Sequence, residues 1–87
     1  MRLRIRRRAK KELLDINDDA TFFAVVRAIL ELEVNPRPRG HDKVEGQEEI
    51  YRFWVGRDWG VLYSINAARD ELIIEAVRKK DEGTYRR

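Results

Sequence analysis

The clearest pattern of apolar and polar positions lies between Gln47 and Ile65. Tyr51, Phe53 and Val55 fall on one side of an extended chain, and Arg52 and Trp54 on the other. After a break at Gly56-Arg57-Asp58 the alternation resumes. Trp59, Val61, Tyr63 and Ile65 share one side, opposite Gly60, Leu62 and Ser64. Runs this rich in aromatic and β-branched residues predict two antiparallel strands joined by a tight turn. Near the N-terminus, Leu3 and Ile5 alternate with Arg2, Arg4 and Arg6. A nucleic-acid-binding arm or a nuclear-localisation run is the competing reading of so basic a stretch. The alternation favours a short strand with one apolar and one guanidinium face.

From about Arg8 the period changes. Ala9, Leu13 and Ile16, with Leu14 beside them, form the stripe of a short helix. Asn17-Asp18-Asp19 breaks it and offers N-caps for a second helix, from about Ala20 to Val34. Phe22, Val26, Ile29 and Leu30, with Val25 and Leu32 alongside, form its stripe. Pro36 and Pro38 forbid continuation past Asn35. The short joint predicts an antiparallel helical hairpin. Residues 35–46 form a polar connector without periodicity. Asn66 to Asp70 is a turn, and Leu72, Ile73, Ile74, Ala76 and Val77 make a further strand. Its apolar content on both faces places it centrally in a sheet. Glu75 is the exception, expected to reach water or a cation.

The order is therefore β-α-α-β-β-β over a single domain, residues 1–87. The fold class is α+β, a two-layer arrangement with a small, mostly antiparallel sheet packed on a helical hairpin. The far face of the sheet should be polar and uncovered.

Composition sharpens this picture. Of 87 residues 43% are apolar, enough for a packed core, and 40% are charged, with a net charge of +3. Seven Lys or Arg lie within residues 1–11, and five more within the last ten. If the two ends meet, they form one basic patch suited to a nucleic acid or an acidic protein segment. Otherwise they are two solvated ends. There is no cysteine, so disulfides and thiolate chemistry are excluded and a reducing cytoplasm is expected. No apolar signal core and no membrane-length run is present. The single histidine, His41, sits in the Pro/Gly connector, and a solvated loop residue is the simpler reading than a general base. No zinc set, phosphate-cradling glycine motif or Ser-His-Asp arrangement occurs, so neither metal nor cofactor is expected.

Arginine, lysine and tyrosine remain, and they suit metal-free phosphodiester chemistry on RNA. Guanidinium groups hold the scissile phosphate and stabilise its developing charge. The 2′-hydroxyl supplies the nucleophile, and aromatic rings stack on splayed bases. The candidates are Arg52, Trp54, Lys79, Lys80 and Tyr85. Each has a structural alternative. Arg52 could pair with Glu75 or Asp70, Tyr85 could anchor the tail, and Trp54 and Trp59 could simply pack.

The succession Asn35-Pro36-Arg37-Pro38, Lys43-Val44-Glu45-Gly46, Tyr51-Arg52-Phe53-Trp54-Val55-Gly56, Trp59-Gly60-Val61-Leu62-Tyr63-Ser64-Ile65, Ala76-Val77 and Tyr85 resembles the RelE/ParE toxin superfamily. Those proteins are the toxins of type II toxin–antitoxin pairs. The resemblance implies a cognate antitoxin that wraps the domain. It also implies one of two activities: ribosome-dependent cleavage of messenger RNA, or inhibition of DNA gyrase without catalysis. A degenerate member would only bind its antitoxin. In the cleaving branch, Arg52 matches a basic sheet position and Tyr85 the C-terminal tyrosine. Lys79 and Lys80 match the basic stretch before it, with Arg78 leading that stretch. That branch often carries an arginine at the position of Gly60 and a second basic residue at Trp54. Arg57, in the turn, is the candidate substitute for the missing phosphate contact.

Overall fold

The computed structural model describes residues 1–38, 42–43 and 49–80, the pair 42–43 by backbone alone. In chain order the elements are β1 (Arg2–Ile5), α1 (Arg7–Leu14), α2 (Asp19–Val34), β2 (Asp42–Lys43), β3 (Tyr51–Val55), β4 (Trp59–Asn66) and β5 (Glu71–Lys79). A 3₁₀ turn over Ala67–Arg69 joins β4 to β5. The strands are ordered β1-β5-β4-β3-β2. β1 runs parallel to β5, and the other pairings are antiparallel. The connector therefore contributes a two-residue strand, with Asp42 opposite Arg52 and Lys43 opposite Tyr51. Two residues are too few to show an alternation.

The central hairpin forms where its pattern predicts. Val55 faces Trp59 across the Gly56-Arg57-Asp58 turn. Gly56 has φ 64°, a conformation that only glycine adopts at no steric cost. Val61 and Tyr63 on β4, and Leu72, Ile74 and Val77 on β5, are buried on the helix side. They meet Ala9 and Leu13 of α1 and Val25, Ile29 and Leu32 of α2. Each large aliphatic side chain so buried contributes about 1.5–3 kcal/mol.

α2 turns a slightly different face inward than its stripe suggests. Val25, Ala28, Ile29 and Leu32 are buried, while Leu30 is half exposed beside Phe23 and Val34 on the outer side. The stripe places Leu30 in the core, and the structure corrects this. Its neighbours at Ala28 and Leu32 take the inward line instead, and two residues along a helix turn a side chain by about 200°. Leu14 of α1 is likewise exposed.

One irregularity in β5 decides which side chains share a face. Leu62 pairs with Ala76 and Tyr63 with Ile74, so Glu75 is the extra residue of a β-bulge. Ile74 and Val77, three apart, both reach the core as a result. Beyond the reach of β1, the edge of β5 is taken by α1: Glu12 Oε1 accepts the Val77 N–H at 2.8 Å.

Two bonds of this frame are testable. The Tyr63 ring is fully buried and its hydroxyl donates to the Pro36 carbonyl at 2.8 Å, tying the chain after α2 to β4. Tyr63→Phe is expected to cost roughly 1–2 kcal/mol in urea unfolding, because the carbonyl loses its donor. At the start of α2, the Asp18 carboxylate accepts from the Thr21 hydroxyl and the Thr21 N–H. The hydroxyl bond first, and then the backbone bond, hold its carboxyl below the ordinary 3.8. The cap's contribution is therefore complete above that value and lost as pH falls through the lower folded-state value. Asp18→Ala should lower the melting temperature by a constant amount at neutral pH. The gap to the wild type should close in acid below about pH 3.8.

Candidate nucleic-acid interface

On the side of the sheet away from the helices, β3 presents Arg52 and Trp54. Arg52 stands opposite Leu62, and Trp54 opposite Gly60. A β-carbon at Gly60 would lie 3.3 Å from Trp54 Cζ3 and 3.6 Å from Arg52 Cδ. The absence of a side chain there is what lets the indole and the arginine stem lie down on β4. The Arg52 guanidinium carbon sits 5.0 Å from the centre of the indole ring. The Lys80 ammonium sits 5.6 Å from the same centre. Both distances are within cation–π range. Lys80 is held from behind, because its backbone N–H donates to the Asp58 carbonyl in the β3–β4 turn. Three elements thus bring two cations to one aromatic ring.

The remaining predicted residues separate. Lys79 pairs with Trp59, which puts it on the helix side of the sheet, away from Arg52. Arg57 is exposed at the hairpin tip and lines a hollow of about 300 Å³ with Thr21 and Ala24 of α2, again on the helix side. Arg78 stands opposite Gly60, but its Nε turns to Glu12 Oε2 at 3.6 Å around the edge of β5. Tyr85, like His41, lies outside the described residues.

β1 lies against the first half of β5, pairing Arg2–Ile5 with Glu71–Ile74 rather than with the basic run that starts at Arg78, so its arginines meet acids. Glu71, buried in the sheet, lies 3.8 Å from Arg2 and 3.9 Å from Arg4. Glu75 takes Arg6 Nε at 2.9 Å on one oxygen and the Ser64 hydroxyl at 2.8 Å on the other. The cation expected at Glu75 is thus Arg6. On α1, by contrast, Arg7, Arg8, Lys10 and Lys11 are exposed and make no ion pair among the described residues. The sequence carried only half of the signal for this neutralisation, because the β1–β5 pairing comes from the structure. The spacing Glu71/Glu75 on a strand parallel to Arg2/Arg4/Arg6 is readable once that pairing is known. The role of Gly60 left no such signal beyond an absent arginine.

Among the described residues, no group of His, Asp and Glu is placed to hold a metal ion. No helix of the described residues is long and apolar enough to cross a membrane.

Residues 3–82 match the model of the ParE toxin of the type II toxin–antitoxin system parDE. The chain belongs to the ParE toxin family. The RelE/ParE resemblance of the sequence is thereby shown, and the fold agrees with it. This ParE-family chain is similar to the archaeal RelE of the RelE–RelB complex from Pyrococcus horikoshii OT3, at 26% identity and a TM-score of 0.77. The alignment covers 93% of this chain and 96% of that one. The toxin of the intact Escherichia coli RelBE complex superposes with a TM-score of 0.75 at 18% identity, covering 93% and 96% of the two chains. A YoeB/ParE toxin from Agrobacterium tumefaciens reaches 0.78 at 12% identity, covering 93% and 100%. The last two likenesses concern the fold alone. No curated protein matches the sequence.

If acids screen the β1 side of the open face, removing them should expose it. The double variant Glu71→Gln/Glu75→Gln is expected to elute from heparin at higher salt than the wild type. The slope of log affinity against log salt for single-stranded RNA should steepen by about 0.7 for each further phosphate neutralised. An unchanged elution would mean that those arginines are already available.

Proposed function

We propose that this toxin cleaves messenger RNA on the ribosome without a metal ion. The convergence of Arg52 and Lys80 on the Trp54 ring, on the sheet face away from α1 and α2, carries this reading. The 2′-hydroxyl oxygen attacks the adjacent phosphorus and the P–O5′ bond breaks. A 2′,3′-cyclic phosphate and a 5′-hydroxyl remain. Arg52 and Lys80 stabilise the charge that builds on the non-bridging oxygens. Trp54 supports a neighbouring base. Tyr85 orients the 2′-hydroxyl or takes its proton. It follows Lys80 by five residues, a reach of about 17 Å when extended. Lys79, Arg57 and Arg78 serve as outer electrostatic partners of the RNA, since they face other sides of the fold. The partner that restrains this activity is a cognate antitoxin with an acidic binding segment. The RelE–RelB complex from Pyrococcus horikoshii is the basis for that part of the reading.

A second reading is gyrase inhibition without catalysis. Trp54 and Gly60 favour it, because these positions are often basic in cleaving members of the superfamily.

Induction of the wild type is expected to arrest growth and to leave cuts within translated messages, mapped by primer extension. Arg52→Ala should lower the cleavage rate about 100-fold or more, and Tyr85→Phe should relieve toxicity. Intact messages in arrested cells would remove the nuclease reading. Loss of gyrase supercoiling in the purified reaction would then establish the second.

A further inference from the structure

We infer that Gly60 and Trp54 form a positioning pair, in which the indole laid over Gly60 holds Arg52 and Lys80 as one clamp for a single RNA phosphate. The inference deepens the nuclease reading and rests on it for the identity of the ligand.

Arginine and lysine side chains are long, and each loses rotamer freedom when it grips a ligand. Two cations near one another also repel. Both costs fall if the side chains are already ordered, and the negative face of an indole orders cations. Here the geometry supplies that ordering. Arg52 reaches the ring from the same strand at 5.0 Å, and Lys80 reaches it from the end of β5 at 5.6 Å. The ring can take that place only because Gly60 is bare. A β-carbon 3.3 Å from Cζ3 is tighter than ordinary packing, and a second ring carbon, Cε3, lies 3.5 Å away. Arg52 Cδ is at 3.6 Å from the same point, so anything added at Gly60 pushes on the ring and on one of the two cations together. Lys80 has a second anchor in its backbone bond to Asp58, which fixes where its side chain starts. Gly60 and Trp54 touch no reacting atom in this scheme and act through Arg52 and Lys80.

A double-mutant cycle reads this coupling. The probe is a single-stranded 2′-O-methyl RNA oligonucleotide, which binds but cannot supply the attacking hydroxyl. Affinity is therefore read apart from cleavage. A Trp59→Phe background leaves Trp54 as the only indole, so its emission reports the ring directly. If that background melts early, 5-fluorotryptophan labelling separates the two indoles in the unaltered chain. Gly60→Ala should shift the Trp54 signal and weaken oligonucleotide binding about tenfold, with the melting temperature unchanged or raised. Alanine is the better residue for a strand interior, so a loss of binding there is not a loss of fold. Trp54→Ala should weaken binding about as much, and Trp54→Tyr should restore most of it. The double variant Trp54→Ala/Gly60→Ala should bind no worse than Trp54→Ala, and there Lys80→Ala should cost less than in the wild type. Additive losses, an unmoved Trp54 signal in Gly60→Ala, or no binding of the oligonucleotide by the wild type would each overturn the inference. Uncut messages in the cell would instead count against the nuclease reading alone.

Discussion

The burial of one face of the β4–β5 pair under two helices is the constraint on which the rest depends. Val61, Tyr63, Leu72, Ile74 and Val77 are almost inaccessible, and they are covered by Ala9, Leu13, Val25, Ile29 and Leu32. A domain of this size has apolar residues enough for only one such core. Both helices are used to close it. Among the described residues no helix lies above the opposite face of the sheet, which is finished there with side chains that tolerate water. Tyr63 shows how tightly the two layers are joined, since its ring is core while its hydroxyl holds the chain leaving α2.

The uncovered face is finished in two ways. Toward β1, carboxylates are interleaved with guanidiniums, and Glu71 and Glu75 occupy Arg2, Arg4 and Arg6. Such pairs contribute little stability when exposed, but they cancel charge locally. Toward β3, the Trp54 ring lies within cation–π distance of both Arg52 and Lys80. A ring attracts cations without itself carrying a neutralising charge. The net charge of the chain is the same under either arrangement.

The bulge at Glu75 links the core to this surface. In an unbroken strand, residues 72, 74, 76, 78 and 80 would share a side, and Lys80 would lie with the core residues. The extra residue shifts the alternation. Val77 then reaches the core, Lys80 arrives beside Trp54, and Lys79 is sent to the helix side. The same extra residue aims the Glu75 carboxylate at Arg6 and Ser64. One inserted position therefore chooses which of two adjacent lysines joins the candidate site.

Local periodicity determined much of this protein. The hairpin over residues 51–65, its turn, the two helices with their stop at Pro36, and the central place of the Leu72–Val77 run are all legible in the order of residues. Strand and helix faces are set by repeats of two and 3.6 residues, and these persist without knowledge of the partner element. The family resemblance was legible as well, because it rests on that same order. What only the tertiary structure decided depends on pairings between distant segments. Sequence spacing alone does not state that β1 runs parallel to β5 and brings acids to its arginines. Nor does it state that Leu30 lies outside, that β5 changes sides at Glu75, or that a bare Gly60 seats Trp54. Each of these follows from which strand lies next to which, and that is settled by the way one shared core can be filled.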